Sequence, residues 1–376
     1  MRRSILAAGV SALALAATLV TVPAHAHPDR DSEPDVVVNG LAGPLTLAVG
    51  DKGDVYVTQT FANTLSKVDK RGRVSTLHQL PLSPEEGELV GVARDRGATY
   101  HVETDLTGEV PTSHVVKTSR TGKRTVVSDD LWEYEIERDP DARQTYGFRN
   151  LRSSCADELA DFEETVGAPI FSEYTGIVES HAYQLDVHDG TIYVADAAAN
   201  AILKVNERTG RISTVGVVPS STITFTEDLE AYVEGQFGGA DLPDCLVGKR
   251  FTPEPVPTDV VRGWDGGLYV STLEGSAGEA APLSKVYRLS QWTGRSLELA
   301  RGMHGATGLA LMPTGHIVVA EMFGGEVSVI RPFTGRAATL FEAESPADVG
   351  VDGRTVYATT GTFGDGALVS YRYRGW

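Results

Sequence analysis

The sequence predicts an all-β fold, a six-bladed β-propeller whose last blade is completed by a strand from the N-terminus. Three observations predict it. A hairpin turn with glycine and a basic residue recurs along the chain, a turn and a short strand precede each hairpin, and the two ends of the repeated region complement each other. Internal repetition of this kind indicates a repeat architecture before any single residue is interpreted.

The hairpin is the most regular part of the repeat. Alternating runs such as residues 202–205 and 327–330 lead into the turn, and another run follows it, which is typical of two antiparallel strands. The turns are Arg71-Gly72-Arg73, Thr121-Gly122-Lys123, Thr209-Gly210-Arg211, Thr293-Gly294-Arg295 and Thr334-Gly335-Arg336, with Arg374-Gly375-Trp376 at the C-terminus.

The other half of the repeat lies upstream of each hairpin. A turn and then a strand occur at residues 53–57, 190–194, 267–270, 315–319 and 354–358, with a poorer copy at 97–101. Short apolar strands, such as 45–49 and 309–311, come before them. Each repeat therefore contains four short strands, which is the content of a propeller blade.

The two ends of the chain indicate that the ring is closed. The sixth repeat lacks its fourth strand, and residues 35–41 form a spare strand ahead of the first repeat. Pairing the spare strand with the sixth repeat covers an edge that would otherwise promote aggregation. An open β-sandwich, the alternative, leaves both the spare strand and the missing one unexplained.

Two of the repeats contain insertions. Tyr100 and Tyr193 are 93 residues apart and Tyr193 and Tyr269 are 76 apart, against about 40–50 for an ordinary repeat. We place the insertions at about 131–179 and 221–254, between the last strand of one blade and the first of the next. Apolar residues at helical spacing predict a short helix at about 156–165. Insertions at these connections would cover one end of the central channel.

The N-terminus has the pattern of a secretory signal. Two arginines precede an apolar stretch that ends in Ala24-His25-Ala26, so we expect cleavage after Ala26, a linker at 27–34 and one propeller domain at 35–376. The arginine pair leaves export in the folded state open as an alternative to ordinary secretion. The expected location is extracellular.

The composition restricts the partners. The net charge is −18, from 33 basic and 51 acidic residues. Such a surface repels phosphate groups, so we expect no nucleic acid and no membrane as partner. We expect a monomer that binds a small molecule, a glycan or a protein.

The chain has two cysteines, Cys155 and Cys245, one in each insertion. In an oxidising compartment they predict one disulfide that joins the two insertions. Two free thiols are the alternative, and neither cysteine has a histidine within a few residues to indicate a metal site.

Aligning the repeats selects two positions per blade that should face the upper end of the channel. At the start of the first strand they are Thr46, Gly91, Tyr183, Asp259, Gly308 and Asp348; at the end of the second strand they are Gln59, Glu103, Asp196, Thr272, Glu321 and Thr360. Five are carboxylates: Glu103, Asp196, Asp259, Glu321 and Asp348. With Tyr183, they are the candidate ligand-binding residues.

Crowded carboxylates raise one another's pKa unless a cation separates them. A Ca²⁺ ion held by Asp259, Asp348 and Glu321 would relieve the repulsion, because Ca²⁺ takes mixed oxygen ligands. The alternative is structural, since acids after a strand also cap turns and accept bonds from backbone amides. Asp196 with Asn200 fits that alternative.

Two histidines, His181 and His304, come just before first strands and should face the same end of the channel. A histidine near carboxylates can act as a general base or a metal ligand. They are the only candidate catalytic residues, and no nucleophile lies at a fixed spacing from either.

Two segments carry a family resemblance. Residues 255–273 read PVPTDVVRGWDGGLYVSTL, and residues 158–205 contain ELADFE and VESHAYQLDVHDGTIYVADAAANAILKV. From about residue 35 to the C-terminus the chain resembles the ScyD/ScyE family of secreted, NHL-like propellers. The resemblance implies a secreted propeller and no established reaction. His181-Ala182 stands where an Asn-Pro pair is common in that family.

Other six-bladed propellers fit less well. Sugar lactonases place a metal-binding Glu before Gly-Pro, where this chain has Ala42, and an Asn before Gly-Leu-Ala, where it has Thr307. Histidine and arginine positions for a quinone cofactor are not evident either. The sequence therefore favours an extracellular binding or scaffold protein with an acidic site under the insertions. A Ca²⁺-assisted hydrolase or lyase, with His181 or His304 moving protons, is the alternative.

Overall fold

The structure is a computed structural model that describes residues 33–167, 171–332 and 334–375. The predicted signal sequence and its cleavage point lie outside these residues. None of the described helices is long and apolar enough to cross a bilayer. The strands form six four-stranded antiparallel sheets in chain order, the blades, and one small additional sheet.

Blades 1 and 2 follow the N-terminal strand β1 (Asp35–Leu41). Blade 1 consists of β2 (Pro44–Val49), β3 (Val55–Gln59), β4 (Thr64–Val68) and β5 (Val74–Gln79). Blade 2 consists of β6 (Gly87–Asp95), β7 (Ala98–Asp105), β8 (Thr112–Thr118) and β9 (Arg124–Val126).

Blade 3 lies between the two insertions. The first insertion has α1 (Leu131–Arg138), β10 (Thr145–Phe148), α2 (Ser153–Val166) and β11 (Tyr174–Thr175). Blade 3 has β12 (Ala182–His188), β13 (Thr191–Asp196), β14 (Ala201–Asn206) and β15 (Ile212–Val217). The second insertion has β16 (Ile223–Thr224), α3 (Glu227–Gln236) and β17 (Arg250–Thr252).

Blades 4 to 6 complete the chain. Blade 4 has β18 (Pro257–Arg262), β19 (Gly267–Thr272), helix α4 (Gly275–Ala280), β20 (Ser284–Ser290) and β21 (Ser296–Met303). Blade 5 has β22 (Ala306–Leu311), β23 (Ile317–Glu321), β24 (Glu326–Ile330) and β25 (Ala337–Glu342). Blade 6 has β26 (Val349–Asp352), β27 (Thr355–Thr360) and β28 (Gly366–Arg372).

The N-terminal strand closes the ring as the sequence predicts. Strand β1 pairs antiparallel with β28, with Asp35 opposite Ser370 and Leu41 opposite Gly366. A Cβ at Gly366 would lie 2.2 Å from the carbonyl oxygen of Leu41, so only glycine allows this approach. The inner strands β2, β6, β12, β18, β22 and β26 contact one another in cyclic order, with β26 against β2.

The core lies between the blades. Each blade is covered on both faces, so its second strand is apolar on both sides. One equivalent position shows this in every blade, at 0–1% exposure: Val57, Tyr100, Val194, Val270, Val319 and Ala358. Apolar burial at this position in all six blades makes the ring rigid enough to position side chains at its centre.

The two insertions share one core of their own. Strands β11, β10, β17 and β16 form the additional sheet, which combines both insertions. A cluster of phenylalanines, including Phe148, Phe225 and Phe251, packs against α2 and α3. The predicted disulfide joins Cys155 to Cys245, with 6.0 Å between the Cα atoms. The helix expected at 156–165 is longer than predicted, since α2 begins at Ser153 and ends at Val166.

Candidate functional site

The centre of the channel is crossed by side chains that bond the inner strands to one another. Asp348 Oδ2 accepts from Leu47 N of blade 1 and from the Gln184 amide of blade 3, at 2.7 and 2.8 Å. Asp259 Oδ2 accepts from Leu309 N of blade 5 at 2.7 Å. Both carboxylates also accept from the next amide of their own strand. They are 3% and 2% exposed. Asp259 thus joins blades 4 and 5, and Asp348 joins blades 6, 1 and 3.

Burial sets the protonation of these two carboxyls. Loss of solvent raises the pKa of Asp259 to about 7, although two amide donors act in the opposite direction. Loss of solvent, and then the charge of Asp259, raise the pKa of Asp348 well above its ordinary value. Such a pair does not carry two full charges at neutral pH.

In blades 2 and 3, the alignment of the repeats in the sequence placed the channel-facing position of the inner strand one residue too early. A β-bulge precedes the channel-facing position of the inner strand, and Gly91 and Tyr183 are themselves bulge residues. The true equivalents of Asp259 and Asp348 are Val92 and Gln184. Val102, opposite Val90, is likewise the equivalent of Gln59, and Glu103 lies one residue farther along β7. A one-residue slip turns a side chain to the other face of the sheet.

Glu103 consequently lies between blades 1 and 2. Its carboxylate contacts His101 at 2.7 Å and His78 at 3.0 Å, and it also pairs with Arg124. Burial opposes its charge, but these three partners lower its pKa. The basic partners hold Glu103 apart from the channel carboxylates.

Asp196 and Glu321 hold the segment that enters the inner strand. Asp196 accepts from His181 N at 2.7 Å and from the Ser180 hydroxyl at 2.6 Å. Glu321 accepts from His304 N at 2.8 Å, and Gln59 accepts from Ala42 N in the same way. This repeated contact is the capping arrangement that the sequence left open as an alternative.

His181 points into the channel on the side of the insertions. Its Nε2 lies 2.8 Å from Glu88 Oε2, and its ring packs edge-on against Tyr183. Burial opposes its charge, but Glu88, Asp196 and Glu179 outweigh that effect and raise its pKa to about 9. Since 42% of the side chain is exposed, solvent moderates the shift. The direction of the shift favours the protonated form of His181.

His304 has a different setting. Its Nε2 donates to the carbonyl oxygen of Glu279 in α4 at 2.7 Å, and its ring lies beside Phe323. The Tyr232 hydroxyl of α3 donates to the Glu279 carboxylate at 2.7 Å. His304 therefore links blade 5 to the insertions.

Among the described residues, the predicted calcium ligands Asp259, Asp348 and Glu321 do not form a group of three whose ligand atoms all lie within 4.8 Å of one another. Within the described residues, two groups of three have all ligand atoms within 4.8 Å of one another. One is His78, His101 and Glu103, where the Arg124 guanidinium already supplies a positive charge. The other consists of carboxylates from the first insertion, at the end of α1.

A cavity of 430 Å³ occupies the other half of the channel. Asp259, Asp348 and Gln184 line its inner end, and Trp264 and Pro313, from the turns after inner strands, line its outer end. The insertions come before inner strands, so the cavity lies on the opposite side of the Asp259–Asp348 layer from them. Arg94, Asp186 and Arg262 also line it.

The sequence reasoning missed six of these residues: Arg94, Gln184, Asp186, Arg262, Trp264 and Pro313. Arg94 and Arg262 stand at the ends of their inner strands, and Trp264 interrupts a glycine-rich turn, Gly263-Trp264-Asp265-Gly266. Trp264 is 86% exposed. A tryptophan in a turn that needs only small polar residues was the feature of the sequence that could have pointed to this end of the channel.

Comparison with known proteins identifies the fold. No protein-family model and no curated protein matches the chain. Among solved structures, the PQQ-bound aldose sugar dehydrogenase of Streptomyces coelicolor is similar at 13% identity, covering 89% of this chain and 95% of that one, with a TM-score of 0.53.

Two further structures are similar over the same region. The putative oxidoreductase (glucose dehydrogenase) of Thermus thermophilus has 16% identity, and the apo form of the soluble aldose sugar dehydrogenase of Escherichia coli has 10%. Each covers 90% of this chain and 99% of its own, with a TM-score of 0.50. At such identities the likeness defines the chain as a β-propeller and transfers no substrate.

Proposed function

We propose that this protein binds a small ligand in the 430 Å³ channel cavity, as an extracellular binding protein. The observation that carries the proposal is the cavity itself. It is concave, most of its lining residues are aliphatic, polar and apolar atoms share its surface about equally, and several acids with raised pKa values converge on it. Its volume falls within the range of ordinary ligand pockets, about 300–1,000 Å³.

The charges in the cavity favour an anionic group. Burial raises the pKa values of Asp186, Asp259 and Asp348, in the case of Asp259 to about 7, and so disfavours their charged forms. Arg94 contributes a guanidinium; its Cζ lies 4.2 Å from the centroid of the Tyr56 ring, and its Nη1 donates to the Thr99 hydroxyl at 2.6 Å. Arg262 supplies a second guanidinium.

The outer end of the cavity favours a ring. Trp264 offers an exposed aromatic face, and tryptophan commonly anchors ligands by stacking. The ligand class that combines both features is a small ring-bearing carboxylate, such as a sugar acid. We also propose that the protein is secreted, as the resemblance to the ScyD/ScyE family implies. A glycan or a protein is the alternative partner to a small ligand. An acidic binding site under the insertions, around Tyr183 and His181, is the competing location.

The proposal can be tested by binding measurements on the mature chain. Calorimetry and thermal shift would use galacturonate, glucuronate and benzoate, with glucose as the uncharged comparison. We expect one carboxylate to bind with a Kd of about 1 mM or better, and glucose to bind at least about tenfold more weakly.

Variants locate the site. Trp264→Ala and Arg262→Gln should each weaken binding about tenfold or more, because they remove the stacking face and the counter-charge. Trp292→Ala is the matched control, since Trp292 is 84% exposed, lies on another turn of blade 4 and does not line the cavity. Binding that survives both cavity variants and is lost in Tyr183→Phe would move the site to the other side of the channel.

A further inference from the structure

The end of helix α1 and the turn after it bring three carboxylates together. Glu135, Asp139 and Asp141 offer ligand oxygens that all lie within 4.8 Å of one another. Glu135 is 1% exposed and Asp141 is not exposed at all. The group lies in the first insertion, away from the channel cavity, and nothing argued from it depends on the ligand proposed above.

Four of the six carboxylate oxygens of this group are buried and unpartnered. Both carboxylate oxygens of Glu135, and Oδ1 of both Asp139 and Asp141, are buried without a hydrogen-bond partner. In the parts of the chain that the structure describes, no ion pair includes any of the three. Burying carboxylates without compensation is costly, because they lose water and repel one another.

Asp141 is held in a fixed orientation. Its Oδ2 accepts from the Tyr146 hydroxyl and from the Asn200 side-chain amide, both at 2.9 Å. Gly176 makes room on the other side, since a Cβ there would lie 1.9 Å from Asp141 Oδ1. One oxygen is thus held in place by the insertion and by blade 3, and the other is left available.

We propose that Glu135, Asp139 and Asp141 bind one Ca²⁺ ion, which fastens the first insertion to blade 3. Ca²⁺ binds oxygen ligands at about 2.3–2.6 Å, so ligands on opposite sides of the ion are about 4.8 Å apart. The set contains only oxygen donors, which excludes the nitrogen and sulfur preferences of zinc and copper. Water and main-chain carbonyls complete the shell.

The test uses the full mature chain after treatment with EDTA. Calcium titration by calorimetry should give one site per chain, and added Ca²⁺ should raise the melting temperature by ~5 °C. Tb³⁺, a Ca²⁺ substitute, should show sensitised emission, because the Tyr146 hydroxyl bonds directly to a proposed ligand. Glu135→Gln and Asp141→Asn should weaken metal binding at least tenfold.

Matched controls make the result decisive. Glu133→Gln changes an exposed acid on the same helix and should bind Ca²⁺ like the wild type. If Asp141→Asn fails to fold, the isosteric Glu135→Gln and the wild-type titration still decide the question. The proposal is overturned if 1 mM Ca²⁺ neither binds stoichiometrically nor changes the melting temperature. It is also overturned if Asp259→Asn abolishes binding and Glu135→Gln does not.

Discussion

The propeller ring and the first insertion both bury acidic side chains, but they differ in the number of hydrogen-bond donors that these side chains contact. In the ring, Asp348 accepts from two backbone amides and a side-chain amide, and Asp259 accepts from two backbone amides. In the insertion, Glu135 has both oxygens buried and unpartnered. Burial alone therefore does not identify a ligand site. A carboxylate whose oxygens already accept several hydrogen bonds has a structural role, whereas one with unpartnered oxygens is a candidate cation ligand.

Removing a ring carboxylate should change the stability of the protein more than the other variants considered below. Asp348→Ala should lower the free energy of unfolding by about 3–5 kcal/mol, because three buried donors, one each from blades 1, 3 and 6, lose their acceptor. Chemical denaturation would measure the loss. Asp352→Ala, an exposed acid on the same strand, should change stability by less than about 0.5 kcal/mol. Equal effects of the two variants would show that Asp348 is not a fastener.

The disulfide tests whether the insertions are a separate unit. Cys155→Ser with Cys245→Ser should cost about 2–4 kcal/mol, since the bond closes a loop of 90 residues. We expect the loss to appear as faster proteolysis within the insertions. Binding in the channel cavity should be retained, because the cavity lies across the Asp259–Asp348 layer. A simultaneous loss of cavity binding would show that the two regions are coupled.

Asp259 should make the free energy of unfolding depend on pH, and this effect should be smaller than the two above. The folded-state pKa of Asp259 is about 7, above its ordinary value of 3.8. Between these two pH values the folded protein keeps a proton on Asp259 that the unfolded chain has already released. This stabilisation is complete at low pH and is lost as pH rises towards 7. In Asp259→Asn, the difference in unfolding free energy between pH 5 and pH 8 should shrink by about 1–2 kcal/mol. An unchanged pH profile would indicate that Asp259 is already ionised at pH 5.

Much of the ring could be predicted from the sequence, because its pattern is local and repeated. The glycine turns, the spare strand at residues 35–41 and the cysteine pair each leave a signal that does not depend on other parts of the chain. The register at Gly91, Tyr183 and Glu103 could not be predicted, since a bulge adds one residue without changing the apolar pattern.

The acidic group of the insertion was hidden for a different reason. In the sequence, Glu135, Asp139 and Asp141 belong to a charged stretch, LWEYEIERDPD, which is typical of a solvated helix face. Their burial arises only when α1 docks on β8 of blade 2 and the turn after it contacts Asn200 of blade 3, 59 residues beyond Asp141. The additional sheet was likewise hidden, because its strands of two to four residues come from both insertions.

The pairing of β1 with β28 has a consequence for biosynthesis. Asp35 is among the first residues of the ring to be made, and its partner Ser370 is among the last, 335 positions later. Ring closure is therefore a contact of very high sequence separation, and it cannot form before translation has reached the final strand. Circular permutation that moved β1 behind β28 would convert this step into a local hairpin, and the chain would then close blade by blade.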